Sequence, residues 1–342
     1  MTDKGPDAGT PWADGDILYA DDLLDSMTKL RWFPLINTGT NFNNSTSAIG
    51  HNATTYSVCT GGTTIYQTSD SGATWTSRSA VLDADGSLIE CRATPTLGFG
   101  YEIGSNNTET VYTSDSGATW GTKTTANFAT AVYDASFPAS GLIVLGGDDA
   151  GGNKHIIFST DQGGTWTDAT TAPAAKVYGV DMFDTSTGYA VDSSGNIWKT
   201  TNGGVTWVDT TDNVSGSGAY SYVAIYCLTA DICVIISNGR FYHYTNSTNT
   251  VTVTAYSKAN DCGRFTETAS GNLYNHLTNA TFGWTLVMSD DDGLTWKMAN
   301  YPLDTPIANQ AYMKGQMVAK MGTTDNVLFA SVGPLFKITG ED

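Results

Sequence analysis

One octapeptide pattern, Ser/Thr-x-Asp/Asn-x-Gly-x-Thr-Trp, recurs five times and restricts this chain to an architecture built from equivalent units. The copies end on Trp75, Trp120, Trp166, Trp207 and Trp296, and carry Asp70, Asp115, Asp161, Asn202 and Asp291 at their third position. Successive tryptophans lie 45, 46, 41 and 89 residues apart. The last gap is two periods, and a degenerate copy, Tyr244–Val251, stands in the middle of it with its Asn and Thr kept and its Gly and Trp lost. A period of this length marks a supersecondary unit that cannot bury its own apolar face and must be covered by neighbouring copies. The residue types suit a tight turn. The carboxylate or amide accepts hydrogen bonds from turn amides, the Gly takes a left-handed conformation, and the Trp opens the next strand with a large apolar ring.

The five copies resemble the Asp-box, or BNR, repeat of sialidase-like β-propellers. That resemblance implies a turn between the third and fourth strands of each blade, on the face away from the family's active site, with a fold-stabilising role. One period before Trp75 falls Trp32, in Leu30-Arg31-Trp32-Phe33-Pro34, which reads as a fourth strand without its first three. Residues 327–333 and 335–339 read as second and third strands with no fourth. We therefore expect an all-β, seven-bladed propeller over residues 32–342 whose last blade takes its outer strand from the segment around Trp32. Closure of that kind removes an exposed sheet edge. A six-bladed ring would leave both fragments unpaired. Cys227 and Cys233 are similar to a Cys-x5-Cys hairpin of some secreted propellers of this type. The resemblance implies a cross-strand disulfide, with two free thiols as the alternative, and the odd total of five cysteines leaves at least one thiol free.

Charge and composition exclude more than they specify. Sixteen basic residues against 34 acidic ones give a net charge of −18, and only five of the acids are Glu. The remainder are Asp, a turn former, so much of the acidity follows from the number of turns. Such a surface repels nucleic acid and anionic membranes, and no apolar run is long enough for membrane insertion. No cofactor is expected. Asp83-Ala84-Asp85-Gly86-Ser87 begins like a calcium loop but has no closing Glu at the twelfth position, and the four histidines lack zinc spacing, so no metal ligands are assigned.

Residues 1–31 differ from the rest. Leu23, Met27 and Leu30 are spaced for one face of a short helix, with Asp21 and Asp22 in its first turn and Lys29 and Arg31 in its last. The run Trp12-x-x-Gly15-Asp16-x-Leu18-x-Ala20-x-Asp22-Leu23 is similar to a segment near the N-terminus of many phage and other viral tail or virion proteins, although Leu24 stands where those sequences usually have Asn. The resemblance implies docking to other virion proteins or homo-oligomerisation, through Trp12, Ile17, Leu18, Leu23 and Leu24. The alternative is a helix that caps one face of the ring.

Connections between blades would lie on the face opposite the repeat turns, which is also the ligand face that the propeller resemblance implies. There Phe42, Tyr220, Tyr222, Tyr301 and Tyr312 are the candidate ligand-binding residues, since aromatic rings with polar tips suit sugars and protein partners. Catalytic residues are not assigned. Sialidases hold a substrate carboxylate with three arginines, and this chain has five arginines in all, with no Arg-Ile-Pro motif. The sequence favours a non-enzymatic structural protein on a viral tail or particle surface, binding a host-surface glycan or protein. A glycoside hydrolase on the same scaffold, or a cellular assembly or adhesion factor, is the alternative; outside a virion, the location would be extracellular.

Overall fold

A computed structural model describes residues 30–35, 45–60, 64–78, 82, 86–102, 109–123, 131–149, 155–214, 223–237, 239–256, 261–279, 283–299, 318–320, 327–329 and 335–340. The first strand, β1 (Leu30–Leu35), stands apart from the blades that follow it in the chain. The first blade contains β2 (Ser45–Gly50), β3 (Tyr56–Thr60), β4 (Thr64–Thr68) and β5 (Thr76–Arg78); the second, β6 (Gly86–Glu90), β7 (Gly98–Glu102), β8 (Thr110–Thr113) and β9 (Gly121–Lys123). The third contains β10 (Ala131–Ala139), β11 (Leu142–Asp148), β12 (Ile156–Ser159) and β13 (Thr167–Asp168); the fourth, β14 (Val177–Met182), β15 (Gly188–Asp192), β16 (Asn196–Thr200) and β17 (Val208–Asn213). The fifth contains β18 (Val223–Cys227), β19 (Ile232–Ser237), β20 (Arg240–Thr245) and β21 (Thr250–Tyr256). The sixth contains β22 (Asp261–Cys262), β23 (Thr266–Glu267), β24 (Leu273–Asn279), β25 (Gly283–Ser289) and β26 (Lys297–Ala299). Three strands follow: β27 (Val318–Lys320), β28 (Val327–Phe329) and β29 (Leu335–Gly340).

Every blade is an antiparallel meander, and the sheets form one propeller. The expectation of a seven-bladed propeller with a short N-terminal helix is corrected: the propeller has six blades. Six blades are contiguous runs of chain with described cores, whereas the remaining sheet, in the order β1-β29-β28-β27, is joined from both ends of the chain. Its strand β27 packs beside β2 on one side and beside β23 and β24 on the other. Among the described residues there is no helix. Leu30 and Arg31, expected in a last helical turn, are extended and pair with Gly340 and Thr339. The unpaired edge of β29 offers a full row of backbone partners, which outweighs a helical pattern continued over so few residues. The rest of the expected helix lies outside the described residues.

The core sits between blades rather than within them. Ile49, Cys59 and Ile65 of the first blade pack with Leu88, Val111 and Trp120 of the second. Similar layers join the second to the third, the third to the fourth, the fourth to the fifth and the fifth to the sixth. A strand covered by a blade on each face loses the usual in–out alternation, as in β11, where all seven residues are buried. Each fully buried Leu, Ile or Phe contributes about 1.5–3 kcal/mol, so these layers are the main stabilising term.

The repeat turns supply the wedges. In the first, Asp70 accepts from Thr68 Oγ1 at 2.7 Å, Thr74 N at 2.9 Å and Thr74 Oγ1 at 2.5 Å, while Gly72 N donates to Thr68 Oγ1. Asp115, Asp161 and Asp291 repeat that set. Asn202 keeps it with one polarity reversed, because its amide donates to Thr206 Oγ1. The turn glycine takes a positive φ, as at Gly117 with 78°. The tryptophans reach the preceding blade: Trp166 lies 6.0 Å from Phe99, and Trp296 stacks 4.3 Å from Phe241. Trp120 and Trp207 are buried in the layers facing the first and third blades, and Trp75 is half-buried, with its indole N–H donating to Gly72 O. The degenerate turn is held differently. There Asp231 accepts from Ser247 N at 2.7 Å and Ser247 Oγ at 2.6 Å.

Candidate functional site

The innermost strands β6, β10, β14, β18 and β22–β23 line a central channel, and their free edges set its chemistry. An edge strand presents unpaired amides. Here the neighbouring blade supplies acceptors: Asp134 for Val180 N at 2.9 Å, Ser136 for Met182 N at 2.9 Å, and Asp181 for Cys227 N at 2.8 Å. These buried side chains therefore clasp the third blade to the fourth and the fourth to the fifth.

Two arginines cross the channel. Arg92, just after β6, donates to Asp181 Oδ2 at 2.5 Å and to Cys227 O at 2.8 Å, and its guanidinium lies 4.3 Å from the Tyr226 ring centroid. Arg264 sits where the inner strand of the sixth blade breaks between β22 and β23, and forms an ion pair with Asp134 of the third blade. That break depends on Gly263. Any Cβ there would run into the His276 ring, while Asn275 Nδ2 holds Gly263 O at 2.8 Å. Tyr226 OH donates to Glu267 Oε2 at 2.9 Å.

Electrostatics follow from burial and pairing. Burial lifts the Asp134 carboxyl to about 6, against the pull of Arg264 and of the Val180 and Ala135 amides. Burial opposes the charge on Arg92, but Asp181, Tyr226, Cys227 and Glu267 together outweigh it and hold the guanidinium above its ordinary value. Burial also pushes the Tyr226 phenol well above 10, with Arg92 pulling it down and Glu267 adding to the rise. A phenol so placed is a hydrogen-bonding group and not a ready nucleophile.

The channel widens into two cavities that share Ile225 and Arg264. The larger, about 520 Å³ including its open mouth, carries Glu90, Arg92, Tyr226 and Glu267. These residues lie at the ends of inner strands nearer the repeat turns. The smaller, about 330 Å³ including its mouth, carries Tyr133, Asp134, Val223 and Cys262 and opens towards the opposite face. The chemistry on offer is fixed polar groups, aromatic rings, two arginines paired with Asp181 and Asp134, and the carboxylates of Glu90 and Glu267. No group of three side chains suited to a metal ion occurs among the described residues.

The structure places the repeat residues Asp70, Asp115, Asp161, Asn202 and Asp291, with their tryptophans, on one face, far from these inner strands in the chain order of each blade. Phe42, Tyr220, Tyr222, Tyr301 and Tyr312 lie outside the described residues, as do Trp12, Ile17, Leu18, Leu23 and Leu24. Cys227 and Cys233 are directly opposite each other on β18 and β19. Both are free thiols, so the disulfide implied by resemblance is not present here. Cys233 Sγ donates to Cys227 Sγ at 3.3 Å, and Cys227 Sγ to Asp181 O at 3.2 Å. Burial holds the Cys227 thiol well above its usual value, which keeps it protonated and slow to oxidise. Sequence reasoning missed the channel residues, having counted Arg92 and Arg264 only to find too few arginines. A usable signal was present: Asp134 and Ser136 on one strand, and Asp181 roughly one period later, interrupt apolar strands.

No family model matches the sequence, and no curated protein matches it either. Solved structures do. A structure described as YCF48 bound to D1 peptide superposes with a TM-score of 0.61 at 14% identity, covering 92% of this chain and 96% of that one. A streptogramin B lyase gives 0.66 at 12% identity, covering 92% and 99%. The GH74 enzyme of Niastella koreensis gives 0.55 at 18% identity, covering 89% of this chain but 44% of that one. The likeness is one of fold. It makes this chain a β-propeller, an architecture that carries unrelated functions.

Proposed function

We propose that this chain is a non-enzymatic structural protein of a phage-like tail or particle surface, whose propeller binds a host-surface glycan or protein. The observation that carries the binding half is the pairing of the channel charges: Asp181 holds Arg92 and Asp134 holds Arg264 among inner strands clasped from the third blade to the fifth. Groups fixed in that way recognise a shape and undergo little proton exchange. A neighbour of the same fold that carries a bound peptide is in keeping with this reading. The geometry of the repeat turns supports the Asp-box resemblance. The resemblance of Trp12–Leu23 to virion segments supports the location, with residues 1–31 docking to other virion proteins.

A second reading has one observation in its favour. Glu90, Tyr226 and Glu267 share one cavity, and two carboxylates flanking a glycosidic bond are what a glycoside hydrolase needs. Incubating the full chain with a panel of bacterial surface polysaccharides, while measuring both retention and release of reducing ends, separates the two. Retention without release supports a binding protein. Release that is lost in Glu267→Gln establishes the hydrolase instead.

A further inference from the structure

The fourth repeat turn departs from the others at two adjacent positions, which together make an Asn-Gly step. Asn202 stands where the other copies have Asp, and Gly203 where they have Ser71, Ser116, Gln162 and Asp292. The turn does not require that glycine, because those four residues take the same left-handed conformation, with φ between 58° and 63° against 72° for Gly203. An Asn-Gly step is chemically labile. The glycine nitrogen, with no side chain beside it, can attack the Asn Cγ. A C–N bond forms, the Cγ–Nδ2 bond breaks, and ammonia leaves with the proton that the glycine nitrogen gives up. Water then opens the succinimide at one carbonyl or the other, to aspartate or isoaspartate.

In the folded turn both reacting groups are held. Gly203 N donates to Ser186 O at 2.9 Å, in a loop itself fixed by Asp184 Oδ1, which accepts from Ser186 N at 2.7 Å and Thr187 N at 2.6 Å. Asn202 Nδ2 donates to Thr206 Oγ1 at 2.8 Å, and Oδ1 accepts from Thr200 Oγ1 at 3.0 Å and Thr206 N at 2.9 Å. The side-chain amide is thus anchored to residues 200 and 206 and is not free to close on Gly203 N. Gly203 is buried and Asn202 exposed, so water reaches the amide as soon as the turn opens.

We infer that Asn202–Gly203 is a deamidation site gated by the fourth repeat turn, which blocks ring formation when closed and admits it when open. The aspartate product fits the turn. In the other copies the Thr hydroxyl donates to the carboxylate, as Thr74 Oγ1 does to Asp70 Oδ2 at 2.5 Å, so Thr206 Oγ1 has only to turn its proton round. Isoaspartate does not fit, since it adds a carbon to the backbone and withdraws the carboxylate from Thr206.

The test is peptide mapping by mass spectrometry of the full chain aged in mildly alkaline buffer, with and without denaturing urea. In urea, Asn202 should convert at a rate close to that of Asn238, which precedes Gly239 in the chain's other Asn-Gly step. In the folded chain, conversion at Asn202 should be slower by about tenfold or more, a factor set by the free energy of opening the turn. Thr206→Val removes the acceptor for Nδ2 and should speed conversion in the folded chain several-fold. Asn202→Asp should melt at the wild-type temperature. Equal rates at Asn202 in the folded and unfolded chain would overturn the gate, and that comparison needs no variant. An amide that survives in urea while Asn238 is converted would overturn the site. A Thr206→Val rate equal to wild type would overturn the side-chain anchor, and a lowered melting temperature for Asn202→Asp would overturn the fit of the product.

Discussion

His51 shows how one residue of a repeat turn's support acquires a measurable role. Its Nδ1 lies 2.9 Å from Pro95 O and its Nε2 3.0 Å from Ser57 Oγ, and the ring packs beneath the second repeat turn. A Cβ on Gly117 would stand 2.9 Å from that Nε2, so turn and histidine fit only because the position is glycine. A buried Ser–His pair invites a catalytic reading, but Ser57 is wholly buried and His51 is 3% exposed, leaving no room for a substrate. Burial lowers the His51 pKa from 6.5 to about 4, against a smaller upward pull from the Pro95 carbonyl. Between those values the unfolded chain takes up a proton that the native chain refuses. Stability from this group is therefore whole above pH 6.5 and falls as the pH drops towards 4, by up to about 1.4 kcal/mol per pH unit. Urea unfolding should show that His51→Gln loses about 2 kcal/mol less than wild type between pH 7 and pH 5. An identical loss in both would mean that the fold leaves the histidine's pKa unshifted.

At the scale of elements, the inner strands are held across the channel as well as side by side. Asp134 serves Val180 N, Ala135 N and Arg264 together, so it joins the third, fourth and sixth blades. Removing one member of such a pair strands the other charge. Asp134→Ala should cost about 3–5 kcal/mol, whereas Asp134→Asn combined with Arg264→Met should cost much less than the sum of the single changes. Asn keeps an acceptor for Val180 N, and Met fills the guanidinium's space. Chemical denaturation of the four proteins measures the coupling. Additive losses would show that the two side chains do not stabilise the fold as a pair.

For the whole molecule, the sheet of β27, β28, β29 and β1 joins the chain ends, and β1 is its outermost strand. A chain starting at Lys29 retains β1 and should melt near the full-length temperature. A chain starting at Asn37 exposes the edge of β29 and should melt lower and aggregate. Light scattering of the same three proteins tests assembly: oligomers for the full chain alone would assign self-association to the segment before Lys29. Much of this was legible in the sequence. Five repeats with regular spacing specified the blade unit, its turn and the meeting of the segment around Trp32 with residues 335–339, because turn chemistry and strand patterning are local. Counting by period, however, gave seven blades where the fold has six. The site was not legible in the same way. Arg92 meets Asp181, and Arg264 meets Asp134, across 89 and 130 residues, and nothing near any of the four in sequence announces its partner. The sequence alone determined the units and their order, since each repeat turn closes on hydrogen bonds within eight residues. Only the tertiary structure decided which inner-strand side chains face one another across the channel, because that depends on how successive blades rotate about a common axis and on a strand broken at Gly263.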